Sequence, residues 1–261
     1  MTDISVIILT KNEKLHIGRC IEKLKELNVQ KILIVDCLSI DGTQEIAQQL
    51  GAVVIEHEWP GNQALQFNWA LDNLQLETGW VLRLDADEWL TDALIREIKA
   101  KLSSLPNMID GILLKRRHYF FGKWVKHGTY PTKILRLFRT TKARYDDSMD
   151  MDEHLIVKGR TLEFENDFVD ESLISFDEWK EKHRSYAKRE AKMVITGKMN
   201  KNKVVYYKLP PYIRAFAYFC IRYFLKLGFI DGLVGFRWHF WQGLWYRWLV
   251  DKEISRLKRV R

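Results

Sequence analysis

Cysteine is scarce: three residues, Cys20, Cys37 and Cys220, are scattered along 261 positions without a Cys-x-x-Cys spacing. That excludes a disulfide framework and a thiolate zinc site, and it suits a reducing compartment. No apolar run approaches the roughly 20 residues of a membrane-spanning helix, because Arg214, Arg222, Lys226, Arg237 and Arg247 interrupt the most apolar stretch. The opening Met-Thr-Asp-Ile-Ser-Val-Ile-Ile lacks the basic charge of a secretory leader, and its apolar run is only strand length, so a cytoplasmic protein is expected. There is no internal repeat and no low-complexity linker. With 47% apolar and 29% charged residues, disorder is excluded as well.

What is present reads as one catalytic domain with an appended C-terminal region. Short apolar runs alternate with amphipathic stretches. Ile4–Thr10, Lys31–Asp36, Ala52–His57 and Trp80–Asp85 read as strands. Leu15, Ile17, Ile21, Leu24 and Leu27 fall at helical spacing, and a second helix opens at Asp41-Gly42-Thr43. Such alternation predicts a parallel α/β sheet with crossover helices. After a helix near Thr91–Ser103, strand-like pieces at Gly111–Tyr119 and Ile134–Arg139 complete the sheet, and Ser175–Gly197 reads as a polar helix. Predicted boundaries are 1–174 for the catalytic domain, divided into halves at 1–103 and 104–174, and 175–261 for a helical extension.

The charge is uneven. Residues 205–261 hold 11 Lys and Arg against 3 Asp and Glu, so the whole excess of +8 lies there. Trp238, Trp241, Trp245 and Trp248 recur at helical spacing among these basic residues, which predicts a helix lying against the inner membrane surface, with packing on the catalytic domain or a second subunit as the alternative. Nucleic acid is not an expected partner.

The strand Leu82-Arg83-Leu84 ends in Asp85-Ala86-Asp87-Glu88. Carboxylates at i and i+2 of an extended segment face one side, and at the carboxyl end of a sheet strand they are placed to meet a ligand. Their oxygens suit Mn²⁺ or Mg²⁺, cations that share their shell with phosphate oxygens. Capping of the next helix is the competing explanation.

Three segments share this strand-then-polar layout: Thr10-Lys11-Asn12-Glu13, Val35-Asp36 through Asp41-Gly42-Thr43, and Asp85-Ala86-Asp87-Glu88. Together they resemble glycosyltransferase family 2. Gln66-Phe67-Asn68-Trp69-Ala70-Leu71, Arg136-Leu137-Phe138, Glu153-His154 and Leu227-Gly228-Phe229-Ile230-Asp231-Gly232 extend the resemblance to the small bacterial branch containing lipopolysaccharide-core β-glucosyltransferases. The resemblance implies a GT-A fold, a Rossmann-like mixed sheet flanked by helices, and transfer of a sugar from a nucleotide diphosphate donor, UDP above all, with inversion at the anomeric carbon. It also implies a cell-surface glycan or glycolipid acceptor.

Carried over by position, the resemblance places Thr10, Asn12 and Glu13 along the nucleoside, Asp36 on the base and Asp41 in support of the nearby loop. Asp87 becomes a metal ligand, and Asp85 touches ribose or metal. Arg136 is set toward the pyrophosphate, or alternatively in a surface salt bridge. Gln66 and Asn68 are placed toward ribose or sugar, or else exposed on a helix. Glu153 is the expected general base, with Asp152, where relatives often carry His, as its rival; His154 would orient Glu153. The family usually has Ser-Gly-Ser-Thr where this chain has Cys37-Leu38-Ser39-Ile40. A sugar-phosphate nucleotidyltransferase is the alternative enzyme class, but it generally needs a glycine-rich loop after the first strand, and Thr10-Lys11-Asn12-Glu13 has no glycine.

Overall fold

The computed structural model describes residues 1–146, 155–197 and 201–260. They group into two compact units: residues 1–117, 131–146 and 155–173 in the first, and 118–130, 174–197 and 201–260 in the second.

The first unit is built on a mixed sheet. Strand β1 (Thr2–Thr10) runs parallel to β2 (Val29–Asp36) on one side and to β4 (Trp80–Asp85) on the other, and β3 (Val53–Glu56) lies beyond β2. Ile4, Val6, Ile7 and Ile8 of β1 are buried on both faces, as a central parallel strand requires. β5 (Glu88–Leu90), β6 (Ile109–Phe120, of which 109–117 belong here), β8 (Thr132–Arg139) and β11 (Arg160–Glu171) continue the sheet in the order β3-β2-β1-β4-β8-β6-β11-β5. The mixed α/β sheet expected from the sequence is therefore present. β9 (Ala143–Tyr145) and β10 (Leu155–Val157) form a separate antiparallel pair.

Helices cover the sheet where their apolar stripes dictate. In α1 (Ile17–Leu27), Ile17, Cys20, Ile21, Leu24 and Leu27 are all buried, and Asn28 at φ 59° closes the helix by donating to the Lys25 carbonyl. Leu15, expected in this helix, precedes it and is exposed. α2 (Thr43–Gln49) and α3 (Gln63–Asn73) follow β2 and β3. α4 (Asp92–Lys101) is capped by the Thr91 hydroxyl, which accepts from the Leu94 amide at 3.2 Å, so the acids Asp85 to Glu88 are free of that duty.

Glu97 of α4 ties this helix to β11. Its carboxylate accepts from the Glu165 amide (3.0 Å), the Asn166 amide (2.9 Å), the Asn166 side chain (2.8 Å) and Lys101 (2.8 Å). Burial works to raise its pKa, but Lys101 and those amides outweigh it and bring it from 4.5 down to about 2. Stability held this way is full above the ordinary carboxylate range and is lost as pH falls through the native value. Glu97→Gln should cost about 2–3 kcal/mol at pH 7 and little near pH 2 in urea unfolding; equal losses at both would remove the assignment.

In the second unit, residues 118–120 of β6 pair with β7 (Lys123–Val125). α5 (Phe176–Thr196) starts in a capping box between Ser175 and Glu178 and ends at Gly197, φ 75°. It packs on α9 (Tyr246–Val260) through Ala187, Ala191, Tyr246, Val250 and Ile254. Glu190, buried in this seam, accepts from Tyr246 (2.6 Å), Arg247 (2.8 Å) and Tyr207 (2.9 Å). α6 (Lys201–Lys208), α7 (Ile213–Cys220) and α8 (Gly232–Trp238) complete the helices, with π-helical turns at Ile221–Leu225 and His239–Trp245 and a 3₁₀ turn at Gly228–Asp231. His239 is enclosed between Gly128 and Gly228. A Cβ at either would come within 2.3–2.5 Å of its ring, which explains both glycines.

The tryptophan stripe is carried by α, π and α segments in turn, and its first three members face inward. Trp238 meets His118 at 4.4 Å and Phe120 at 5.3 Å, Trp241 meets Phe176 at 4.9 Å, and Trp245 meets Trp179 at 6.2 Å. Trp248 alone is exposed, at 42%. An aromatic surface supplied by Phe120, Phe176 and Trp179 takes up the rings that the spacing assigned to a membrane. Among the described residues no helix is long and apolar enough to cross a bilayer.

Candidate active site

The chain reverses direction across the sheet after β3, passing from one side of β1 to the other to form β4. That creates a switch point between β1 and β4, where open α/β sheets bind ligands. Register brings the predicted residues to this edge: Thr10 stands opposite Asp36, and Leu9 opposite Asp85.

Asp36 is wholly buried, and its oxygens accept from the Thr10 hydroxyl (2.6 Å), the Ser39 hydroxyl (2.6 Å), the Ser39 amide (2.7 Å) and Gln44 (2.7 Å). Burial pushes its pKa up, yet the Ser39, Thr10 and Gln44 bonds prevail and hold it below the usual range. A carboxylate has about four lone-pair sites, so these donors fill it. Asp36 thus shapes the loop after β2. Asp41 does the same at the loop's end, accepting from the Lys14 amide (3.1 Å), the Thr43 amide (3.1 Å) and the Thr43 hydroxyl (2.5 Å).

Asn12 joins the two loops, its side chain accepting from the Ile40 amide at 3.0 Å and its own amide donating to Ser39 at 2.7 Å. The Glu13 amide donates to Thr43 at 2.8 Å, and the Glu13 carboxylate meets His16 at 2.6 Å. The unusual Leu38 sits at φ 59°, a left-handed conformation that disfavours Leu by about 1–2 kcal/mol. The glycine that the family resemblance implies at this position would have that physical reason. Here the Lys11 ammonium offsets the strain by donating to the Cys37 and Leu38 carbonyls at 2.7 and 2.6 Å, a clamp the sequence reading missed.

Gln66 and Asn68 face inward rather than toward solvent. Gln66 meets His57 at 2.7 Å and Cys37 at 3.2 Å, and Asn68 holds the Tyr145 backbone at both its carbonyl (3.0 Å) and its amide (3.1 Å).

At the end of β4, Asp85 is paired with Arg83 at 2.9 Å and Arg136 at 3.2 Å. Glu88, 1% exposed, takes Arg136 on one oxygen and the Asp85 amide (3.0 Å) on the other. Burial and then the neighbouring Asp85 and Asp170 carboxylates push the Glu88 pKa well up. Glu88 is therefore a buried partner of Arg136 rather than an open ligand. Arg136, 3% exposed, makes a buried salt bridge rather than a surface one. Arg83 was also missed; its signal was a basic residue two positions before Asp85 in an otherwise apolar strand, hence on the same face. Asp87 lies between Asp85 and Glu88 at intermediate exposure, its carbonyl held by the Glu171 amide at 3.1 Å. Asp152, Glu153 and His154 fall outside the described residues.

The donor set fits Mn²⁺ or Mg²⁺ in one way only. Among the described residues no three His, Cys, Asp or Glu side chains converge as a cage, whereas a hard cation that keeps phosphate and water ligands needs one or two carboxylates. The local field has the required sign. The buried Cys20 thiol is pushed up by burial and then by the negative charge of Glu88, Asp87 and Asp85.

The family model for glycosyl transferase family 2 matches residues 5–157. Lipopolysaccharide core biosynthesis glycosyltransferase LpsC of Rhizobium meliloti is 31% identical over 255 residues, 88% of this chain and 82% of that protein. An uncharacterized glycosyltransferase of Rickettsia felis is 38% identical over 99 residues, 38% of this chain and 34% of its own length. Among solved structures, S. aureus TarS 1-349 overlays with a TM-score of 0.48 at 15% identity, over 98% of this chain and 83% of that one. The chain belongs to glycosyltransferase family 2. It is a glycosyltransferase, and its mixed sheet flanked by helices, with a C-terminal helical region, is of the GT-A type.

Proposed function

We propose that the chain transfers a sugar from a UDP-sugar, with inversion at the anomeric carbon, to a lipopolysaccharide-core acceptor at the cytoplasmic face of the membrane. The observation that carries the reading is the alignment of Thr10, Asp36 and Asp85 at the carboxyl ends of adjacent parallel strands at a switch point. The name of the Rhizobium relative supports the acceptor class.

In this reading Thr10, Asn12, Glu13, Asp36 and Asp41 form the nucleoside end. Asp36 and Asp41 act by holding the two loops in shape, and Asn12 and Glu13 tie those loops into the edge that meets the donor. Asp87, with Asp85, holds Mn²⁺ or Mg²⁺, which when bound neutralises the departing diphosphate. Arg136 and Arg83 fix Asp85, and Arg136 adds positive charge near the pyrophosphate. Gln66 and Asn68 position the wall behind the ribose. Glu153 takes the proton from the acceptor hydroxyl, with Asp152 as the other carboxylate able to do so. Nucleotidyl transfer is disfavoured by the absence of glycine in the loop after β1.

Calorimetric titration of the protein with UDP, GDP, CDP and ADP, each with Mn²⁺ and with EDTA, tests the reading. UDP should bind with Mn²⁺ and weaken at least tenfold in EDTA, as expected when a diphosphate completes the cation's shell. Binding of none of the four, or binding indifferent to EDTA, would overturn it.

A further inference from the structure

The second unit exposes an apolar surface that its own core does not explain. Ile213, Phe216, Phe224, Leu225, Phe229 and Leu233 are all exposed, Leu225 at 77%. They fall within residues 213–233, and the rings of Phe224, Phe229 and exposed Phe236 gather around Tyr223 at 5.0, 6.3 and 5.9 Å. Exposed apolar side chains gathered in this way mark an interaction site.

Charge identifies the partner. Residues 205–237 contain five Lys and Arg and a single acid, Asp231. That acid is turned away from solvent, its side chain 5% exposed, accepting from the His127 amide at 2.8 Å and meeting its ring at 2.7 Å. Lys208, Lys226 and Arg237 are exposed within or beside the apolar residues, Lys226 standing between Leu225 and Leu227. At the rim, exposed Tyr212 and Trp248 lie 6.3 Å apart, with Lys252 5.5 Å over the Trp248 ring. Interspersed lysines are unlike the charge-depleted centre of a protein–protein interface. Apolar side chains on short helical turns, with basic residues among them and Trp and Tyr at the margin, match the boundary of a bilayer bearing anionic headgroups.

We propose that residues 209–237 seat this protein in the interface of an anionic membrane, with Phe224, Leu225 and Phe229 entering the acyl boundary and Lys226 and Arg237 meeting headgroups. The inference deepens the functional reading by placing the surface that meets the acceptor's membrane, and it rests on that reading only for which membrane this is.

The test floats the full chain with vesicles of phosphatidylcholine alone or with about one-third phosphatidylglycerol, at low and high salt, while UDP binding is followed in parallel. Flotation should require phosphatidylglycerol and weaken with salt. Leu225→Ser with Phe229→Ser should reduce it roughly tenfold, without a change in melting temperature because both side chains are exposed. Absence of flotation at low salt, flotation indifferent to the double substitution, or a dimer that the same substitutions dissociate would overturn the proposal. Failure of flotation with UDP binding intact rejects this surface alone. Loss of UDP binding with flotation intact rejects the donor reading and leaves the surface standing.

Discussion

Replacing Asp87 with alanine should abolish sugar transfer, by about a thousandfold or more, while leaving the unfolding curve in place. The magnitude follows from several kcal/mol of charge stabilisation lost with the cation, at about 1.4 kcal/mol per tenfold in rate. The fold should stay intact because Asp87 is not part of the buried core and the Glu171 amide's bond to its carbonyl survives the substitution. Asp85 offers a less clean test, because it answers two buried guanidiniums, and removing it would strand Arg83 and Arg136 as well as any ligand. Steady-state transfer at saturating Mn²⁺, together with UDP titration of the same variant, checks the prediction. Full activity, or loss of activity with metal-dependent UDP affinity unchanged, would take Asp87 out of the cation site.

The parallel part of the sheet was legible because its signals are local. β1, β2 and β4 are short apolar runs ended by polar residues, and the Asp36 and Asp85 ends need only parallel register to meet. Other parts were hidden by chemistry that acts at long range. β11 reads as a run of charges, Arg160 to Glu171, because neighbouring elements neutralise them: Arg116 pairs with Asp170 at 3.3 Å, Arg117 with Asp167 at 2.5 Å and Lys133 with Glu163 at 2.6 Å. β5 is too short to carry a period and exists because β11 lies beside it.

At the candidate site the sequence left the direction of the side chains open. Gln66 and Asn68 occupy a helix whose polar face looks exposed in sequence, yet Tyr145, distant along the chain, needs its backbone groups satisfied and draws Asn68 inward. The tryptophan spacing in the tail likewise marks a helical face without saying what covers it. Phe120, Phe176 and Trp179 do so, and the surface left bare is the aliphatic and phenylalanine patch one segment earlier. Leu38 shows a further case, in which the sequence displays a departure from the family's pattern but not the positive φ that the structure gives this position.

Arg136→Met should cost about 3–5 kcal/mol of stability, the second of the large effects, because it leaves Glu88 buried beside Asp85 without its cation. The loss should depend on pH. Burial and the adjacent carboxylates already raise the Glu88 pKa against the opposing charge of Arg83, and loss of the Arg136 guanidinium that bonds it should raise it further. A carboxyl whose folded pKa lies above its unfolded one costs nothing below the unfolded value and an increasing amount as pH rises through it toward the folded value. The deficit in urea unfolding should therefore be large at pH 7 and shrink toward pH 4. Adding Glu88→Gln to Arg136→Met should recover part of the loss at pH 7, since the stranded charge is gone. A cost below about 1 kcal/mol would give the pair only the strength of a surface salt bridge, and would return the Arg136 guanidinium to direct use by the donor pyrophosphate.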